Sequence, residues 1–331
     1  MPKNSVNHIV CVGAVYIDTI LTVPYFPIED EKLRAKAITR RRGGNTANSL
    51  EVLSQLQQHD PEGTRNPPST GLHLLAVLPD ENSAASRFIC ESLPQVNICD
   101  VSLFRKEHQE AASSYIIQSE ENRSRTIVSI SQLPEMRNDE FKQQVFSFTG
   151  GKEQGWKKAW FHFEGRVPEV TLSCVRFLRD QFPHFKISVE CENPQRTGMA
   201  EVAKYADVVF YSKLWAEKNG YTDARSFLEA RRNETRDEAI SCCTWGSGGA
   251  TAFQKDAVEA WANVNAWKAE GDEQANVVDT IGAGDTFIAG MLFAINEHDK
   301  WSLQKKLEFA NELAGRKVSQ EGFDGLGKRM W

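Results

Sequence analysis

Six short apolar runs recur along the 331-residue chain, at residues 8–12, 72–77, 159–163, 186–190, 207–211 and 240–244. Segments with helical spacing of apolar residues lie between most of them, among them 46–57, 170–181 and 224–232. An apolar run too short for a helix suits a strand buried on both faces. Strands that alternate with helices return in the same direction each time, so the pattern predicts an α/β fold, a mostly parallel sheet between layers of helices.

Two stretches break this rhythm. Residues 17–42 mix extended pieces with the turn residues Pro24, Pro27 and Asp30, and residues 113–130 read as two strands, 114–118 and 126–130, around Glu120-Glu121-Asn122. Together they are expected to form a small antiparallel lid beside the main domain. Residues 59–70, rich in proline and polar residues, and residues 258–274 look like insertions, the first a surface loop. Without internal repeats or low-complexity tracts, residues 1–331 are expected to form one domain.

The net charge of −6 argues against a nucleic-acid partner, which calls for a basic face. The main basic cluster, Arg40-Arg41-Arg42, sits against Gly43-Gly44 and reads either as a local anion contact or as a solvated loop. Seven scattered cysteines contain no C-x-x-C pair, which disfavours structural zinc. Cys11, Cys242 and Cys243 lie in apolar runs and read as buried thiols, which suits a reducing compartment. No apolar signal region or membrane-length apolar run is present, so the expectation is a cytoplasmic protein without a membrane partner. The glycosylation sequons at Asn122 and Asn233 then carry no meaning.

The most informative string is Val277-Val278-Asp279-Thr280-Ile281-Gly282-Ala283-Gly284-Asp285-Thr286-Phe287. A β-branched approach meets a glycine turn, and an amphipathic helix is expected to follow through Phe287, Met291, Leu292 and Ile295. The free N–H groups and positive dipole end of such a helix attract an anion. In phosphoryl transfer, Gly282, Ala283 and Gly284 would hold the charge on the moving group, and Asp285 would take the proton of an attacking hydroxyl. A plain helix start, with glycine for the turn and Asp285 as a cap, is the bland alternative.

This string resembles the signature of the ribokinase-like (PfkB) carbohydrate kinases, and Gly43-Gly44-Asn45-Thr46-Ala47-Asn48 resembles their second signature, near the N-terminus. Further segments resemble the ketohexokinase branch in the same order: Cys11-Val12-Gly13 with Asp18, Ser124 to Val128, Phe161 to Arg166, Val208 to Lys213, and Glu321 to Gly325. The resemblance covers nearly the whole chain. It implies a ribokinase-like three-layer domain with a β-sheet lid, and an ATP-dependent kinase acting on a small sugar, a ketose such as fructose phosphorylated to the 1-phosphate. Asp18, Gly44, Asn45, Asn48 and Asp285 match sugar-binding positions. Arg125 matches an arginine that reaches the phosphates, and Gly246 and Gly249 belong to a nucleotide-side turn, Trp245 to Ala250, beside the phosphate-binding Gly282 and Gly284. For Asp18 a strand-end turn, for Asn45 and Asn48 helix capping, and for Arg125 a solvated lid position remain the simpler readings.

Two departures stand out. Ser247-Gly248 replaces an acidic pair in the nucleotide-side turn, and Ser212-Lys213-Leu214-Trp215 lacks the Asn-x-x-Glu motif that orders water around the metal in many relatives. Mg²⁺ is therefore expected to arrive with ATP, with its protein contacts open; Glu190 and Glu192 are either part of its water shell or a solvated strand end. The resemblance also implies potassium held by backbone oxygens around Asp279 and Ile281, and a homodimer formed through the lid. A nucleoside or other-sugar kinase on the same scaffold, and a non-catalytic sugar or nucleotide sensor, stay open as alternatives. A P-loop NTPase and a Rossmann dehydrogenase are disfavoured because neither G-x-x-x-x-G-K-[ST] nor a G-x-G-x-x-G after the first strand occurs.

Overall fold

The computed structural model describes residues 7–62, 70–122, 124–150, 155–258, 260–269 and 277–331. The chain opens with β1 (Asn7–Val12), β2 (Tyr16–Val23), β3 (Ala37–Gly43) and α1 (Asn45–His59). Next come β4 (Thr70–Leu75), β5 (Val77–Pro79), α2 (Ala84–Ser92), β6 (Leu103–Arg105), β7 (Ser113–Ser119), β8 (Arg125–Ile130) and α3 (Asn138–Thr149). Regular alternation resumes with β9 (Trp160–Phe163), α4 (Pro168–Gln181), β10 (Lys186–Cys191), α5 (Met199–Ala203), β11 (Val208–Tyr211), α6 (Lys213–Lys218), α7 (Ala224–Arg231) and β12 (Ile240–Thr244). The chain closes with β13 (Ala250–Gln254), β14 (Trp261–Val264), α8 (Ala283–Glu297) and α9 (Leu303–Val318).

The expected α/β architecture is present. Eight strands form one sheet in the order β14-β13-β12-β11-β10-β9-β1-β4. From β4 to β12 every pair is parallel, and β13 and β14 extend the sheet antiparallel. The strands are buried on both faces because helices cover both. One apolar cluster joins Ile9, Cys11, Phe210 and Cys242 to α1, α8 and α9, and the other joins Val10, Phe161, Ile187 and Val209 to α3, α4 and α7. Alternate residues of a strand point to opposite faces, so Val10 and Cys11 of one strand enter different clusters. Among the described residues no helix is long and apolar enough to cross a membrane.

A second sheet, in the order β3-β2-β7-β8, contains the two stretches where the rhythm breaks. It is mixed rather than antiparallel: β2 pairs antiparallel with β3, and β7 with β8, but β2 and β7 run parallel. The link from β2 to β7 passes through β3, α1 and β4, a crossover long enough to bring the chain back in the same direction. Residues 258–274 also differ from the expected insertion, because 261–264 form the edge strand β14. Residues 63–69 of the expected surface loop lie outside the described residues. The helix after the glycine signature is buried almost all round, from Asp285 to Ala294, rather than amphipathic. It lies between the sheet, α1 and α9, and Gly290 lets α9 approach: a Cβ there would meet Ala310 Cα at 2.7 Å.

Candidate active site

The parallel strands end on one edge of the sheet, at Val12, Phe163, Cys191, Tyr211 and Thr244, and ligands in open α/β sheets bind outside such carboxyl ends. A cleft of about 410 Å³ lies there, lined by Asn45, Glu190, Glu192, Thr244, Gly284 and Asp285 among others. Two helices point their first turns into it, α1 from the Gly-Gly-Asn string and α8 from the Gly-Ala-Gly-Asp string.

Both turns need glycine, for different reasons. Gly44, the residue before α1, has φ 107°, and a Cβ there would lie 2.3 Å from Ala14 O. Gly282, before α8, is left-handed at φ 75°, and a Cβ there would meet Phe323 Cζ at 2.4 Å. Gly284 is the opposite case: no atom lies within 4 Å of a Cβ built on it, so no packing in the chain demands glycine. The space in front of it opens on the cleft. No side chain caps α8; Ala283 N, expected to face an anion, instead turns back to donate to Thr280 O at 3.3 Å, which leaves the N–H groups of Gly284 and Asp285 for a ligand.

Asp285 is buried, and its backbone carbonyl accepts from Ser49 Oγ at 3.0 Å. Its carboxylate accepts from Asn48 Nδ2 at 2.7 Å. Asn48 cannot turn its amide round, because Arg42 Nη1 donates to Asn48 Oδ1 at 2.9 Å and a guanidinium only donates. Arg42 is itself buried and held by an ion pair to Glu51. Burial, and then the negative charges of Glu190, Glu192 and Glu164, push the Asp285 carboxyl well above the ordinary aspartate range, while the Asn48 hydrogen bond works in the other direction. A carboxylate so placed is a stronger base than one in water.

Glu190 and Glu192 face Asp285 across the cleft. Asn45 Nδ2 donates to both, at 3.2 Å to Glu190 Oε2 and 3.0 Å to Glu192 Oε2. Behind them runs a buried chain in which Trp160 Nε1 donates to Ser188 Oγ at 2.8 Å. Ser188 Oγ lies 2.9 Å from His162 Nδ1, and His162 Nε2 lies 3.0 Å from Glu190 Oε1. Indole only donates, so the serine hydrogen is free for Nδ1 and the neutral imidazole donates from Nε2 to Glu190. Burial pushes the His162 pKa down to about 3, which keeps the ring neutral. Burial followed by the repulsion of Glu192 and Glu164 pushes Glu190 well above the usual carboxylate range. The buried Glu190 and the exposed Glu192, joined on one amide at the cleft wall, are a donor set suited to a hydrated divalent cation whose other ligands come from phosphates. Among the described residues no cluster of three or more histidine, cysteine, aspartate or glutamate side chains could hold a metal by itself.

The second sheet contributes from the side. Asp18 on β2 stands between Arg41 on β3 and Ser114 on β7 in register, with Arg41 Nε 3.7 Å from Asp18 Oδ2. Burial raises the Asp18 pKa, and Arg41 and Ser114 oppose it. Arg125, at the start of β8, reaches the glycine turn: Nη2 donates to Thr280 Oγ1 at 3.3 Å and Nη1 lies 3.7 Å from Asp279 Oδ1. Asp279 is drawn in two other ways, since Ile281 N donates to its Oδ1 at 2.9 Å and the buried Lys317 Nζ donates to its Oδ2 at 2.9 Å and its backbone O at 3.1 Å. The Asp279 carbonyl, where a potassium contact was expected, thus already receives an ammonium.

The chain brings Asn45, Gly284 and Asp285 into the cleft, with Gly44 and Asn48 directly behind it and Arg125 at the glycine turn. Gly246 and Gly249 do not line it. They form the β12–β13 turn just past Thr244, where Trp245 N donates to Gly249 O at 2.7 Å and a Cβ on Gly249 would overlap Val264 O at 1.9 Å. Three further residues carry weight here. Arg42 orients Asn48, His162 supports Glu190, and Glu164 accepts from Ala14 N at 2.8 Å beneath α1. His162 and Glu164 act through partners far away in sequence, whereas Arg42 reaches Asn48 only six residues on; the one local signal was the position of Arg42 against the glycine pair.

Comparison with known proteins gives the family. The model of the pfkB family carbohydrate kinases matches residues 6–325. Mouse (Mus musculus) ketohexokinase is 28% identical over 328 residues, covering 97% of this chain and 99% of that protein. The nucleoside kinase of Methanocaldococcus jannaschii, described as an archaeal member of the ribokinase family, superposes with a TM-score of 0.68 at 18% identity over 98% of both chains. Ribokinase from Cryptococcus neoformans in complex with ADP superposes with a TM-score of 0.63 at 16% identity, over 98% of this chain and 99% of that one. The chain therefore belongs to the pfkB family of carbohydrate kinases, ATP-dependent phosphotransferases with a ribokinase-like fold.

Proposed function

We propose that this kinase moves the γ-phosphoryl group of ATP to a hydroxyl of a small sugar, a ketose of the fructose type, giving the 1-phosphate. The observation that carries the reading is the pairing of a buried, oriented Asp285 with the open space before Gly284 in one cleft. In this reading the acceptor hydroxyl lies against Asp285, which takes its proton as the oxygen attacks the γ-phosphorus and the bond to ADP breaks. Asp18, Asn45, Asn48 and the backbone at Gly44 bind the remaining hydroxyls; carboxylates accept from vicinal hydroxyls, and amides donate and accept. The N–H groups of Gly284 and Asp285 receive the charge on the transferred group, and Arg125 exchanges Thr280 and Asp279 for phosphate oxygens. ATP lies along the carboxyl ends of β10 to β12, with Gly246 and Gly249 shaping the far turn by backbone alone.

Glu190 and Glu192 would hold the water shell of the Mg²⁺ that accompanies ATP. When bound, that ion draws charge from the phosphate oxygens. Potassium near Asp279 and Ile281 would have to compete with Lys317 for the Asp279 carbonyl. Residues 1–331 act as one kinase domain in the cytoplasm, a reducing compartment that suits seven free thiols.

The second sheet serves as the lid, about residues 17–42 and 113–130, and as a dimer contact. Asp18, Ser114 and Arg125 share its inner face, whereas Ile38, Leu21, Ile117, Tyr115 and Val128 share the other. Ile38 is 69% exposed, Val128 63% and Tyr115 54%, an uncovered apolar face that a twofold partner would bury. Light scattering should give twice the mass of one chain; a fully active monomer at micromolar concentration excludes the dimer.

The function itself is tested by measuring ATP consumption with ketoses, aldoses and nucleosides, with and without potassium. Preferential turnover of a ketose with a 1-phosphate product supports the reading. Preference for a nucleoside or an aldose replaces the substrate, and no turnover with any acceptor points to a sensor.

A further inference from the structure

Away from the cleft, two thiols meet. Cys90 lies on the last turn of α2 and Cys99 on the segment that follows, and their sulfurs are 3.5 Å apart in hydrogen-bond contact. The backbone holds both in place. Leu93 N donates to Cys90 O at 3.3 Å, and Ser102 N donates to Ile98 O at 2.8 Å. Asn97 is bound to β4 on both sides, its N donating to Leu72 O at 2.9 Å and its O accepting from Leu74 N at 3.0 Å. Ile89, Leu93 and Ile98 are buried beneath the pair. Cys99 is exposed and Cys90 half-buried, whereas Cys11, Cys174, Cys191, Cys242 and Cys243 are all buried. Cys242 and Cys243 are adjacent in β12 and point to opposite faces, one into each apolar cluster.

We propose that Cys90 and Cys99 form a peroxide-sensitive dithiol that closes reversibly to an intramolecular disulfide. Burial, and then the hydrogen bond to Cys99, push the Cys90 thiol up to about 12, and the exposed Cys99 sulfur is the one an oxidant in solution reaches first. Cys99 releases its proton and attacks a hydroperoxide oxygen; an S–O bond forms, the O–O bond breaks, and the expelled hydroxide or alkoxide takes that proton and leaves as water or an alcohol. Cys90 then gives up its proton and attacks the Cys99 sulfur, expelling hydroxide, which takes that proton and leaves as water. The two thiols lose two electrons and two protons in total, and the peroxide is reduced. Bond formation requires the sulfurs to close from 3.5 Å to about 2.05 Å. Glu81 and Glu91 lie close enough to disfavour negative charge at Cys90, which selects a neutral hydroperoxide over an anionic disulfide as oxidant. A thiol reductant reverses the bond by exchange. Nothing in this chemistry depends on the phosphoryl-transfer reading.

The test treats the intact, fully reduced protein with stoichiometric hydrogen peroxide, alkylates the remaining thiols, and reads intact mass and peptide map. Five alkylated thiols instead of the seven of the reduced protein are expected, with one cross-linked peptide pair joining Cys90 to Cys99 that dithiothreitol releases. Cys99→Ser should keep all of its remaining thiols alkylatable, and Cys90→Ser should leave a Cys99 sulfenic acid that dimedone traps. Seven alkylated thiols after peroxide, a bond to any other cysteine, or over-oxidation of Cys99 with Cys90 still alkylatable would each overturn the proposal.

Discussion

Asn48 donates its side-chain amide to Asp285 Oδ2 at 2.7 Å, joining two helices whose contact residues lie 237 positions apart in the sequence. The bond has a fixed sense because Arg42 claims the amide oxygen. It faces a cleft in which Glu190, Glu192 and Glu164 all oppose a negative charge on Asp285. Asn48, with the Arg42 charge behind it, thus favours the ionised form of Asp285 against burial and three neighbouring carboxylates.

The pH dependence of kcat/KM should follow from this balance. A general base works unprotonated, so activity rises with pH, and the acid limb should lie above the ordinary aspartate range because the Asp285 pKa is raised. Asn48→Ala removes the hydrogen bond that lowers the pKa, so the limb should move to higher pH and part of the lost activity should return on alkalinisation. Glu190→Gln removes a like charge and should move the limb to lower pH. A limb that stays fixed in both variants would assign it to another group.

Asp18→Ala and Asn45→Ala should raise the sugar KM far more than the ATP KM. A polar partner left unpaired costs about 1–3 kcal/mol, roughly ten- to hundredfold in affinity. Steady-state kinetics with each substrate varied in turn checks this. Equal effects on both would make these residues structural, as the contacts of Asn45 with Glu190 and Glu192 would allow.

Arg125→Ala should lower kcat with little change in sugar binding, by about tenfold or more, since a charge-assisted hydrogen bond contributes about 1.5–3 kcal/mol. Arg125→Lys should recover only part of the loss, because a single ammonium cannot fork across two phosphate oxygens. Hydrogen exchange in β2, β7 and β8 with and without sugar reads the lid separately, and protection should increase when sugar is added.

Local pattern made much of the fold legible. Residues 240–244 coincide with β12, and the glycine signature falls at the start of α8, because apolar runs and helix starts are short-range signals. The edge strands β13 and β14 were not legible. They are short, turn antiparallel, and carry polar residues such as Thr251 and Asn263, which bond to each other at 2.7 Å. The parallel pairing of β2 with β7 was hidden for a related reason, since Asp18 and Ser114 become neighbours only through a long crossover. At the cleft, the glycine string before α8 marked Asp285, whereas Asn45 and Asn48 stood out through the resemblance of their Gly-Gly-Asn string to the family's second signature. The ordering of Asn48 by Arg42 spans only the turn from β3 to α1, but the direction of the Arg42 side chain is set by burial against Glu51, and the ordering of Glu190 by His162 joins two separate strands; neither leaves a spacing to read.

The most direct test of the account is turnover by Asp285→Asn beside its ATP affinity and melting temperature. The amide fills the same space and can still accept from Asn48, but it cannot take a proton. Turnover should fall on the order of a hundredfold or more, with ATP binding retained. Stability should not fall with it. The folded-state pKa of Asp285 is raised above 3.8, so the ionised carboxyl weakens the fold increasingly as pH rises above that value. The variant should therefore melt no lower than the parent at neutral pH, with any advantage shrinking on acidification. A folded Asp285→Asn protein that binds ATP and turns over sugar at near the parent rate would contradict the assignment of Asp285 as the base.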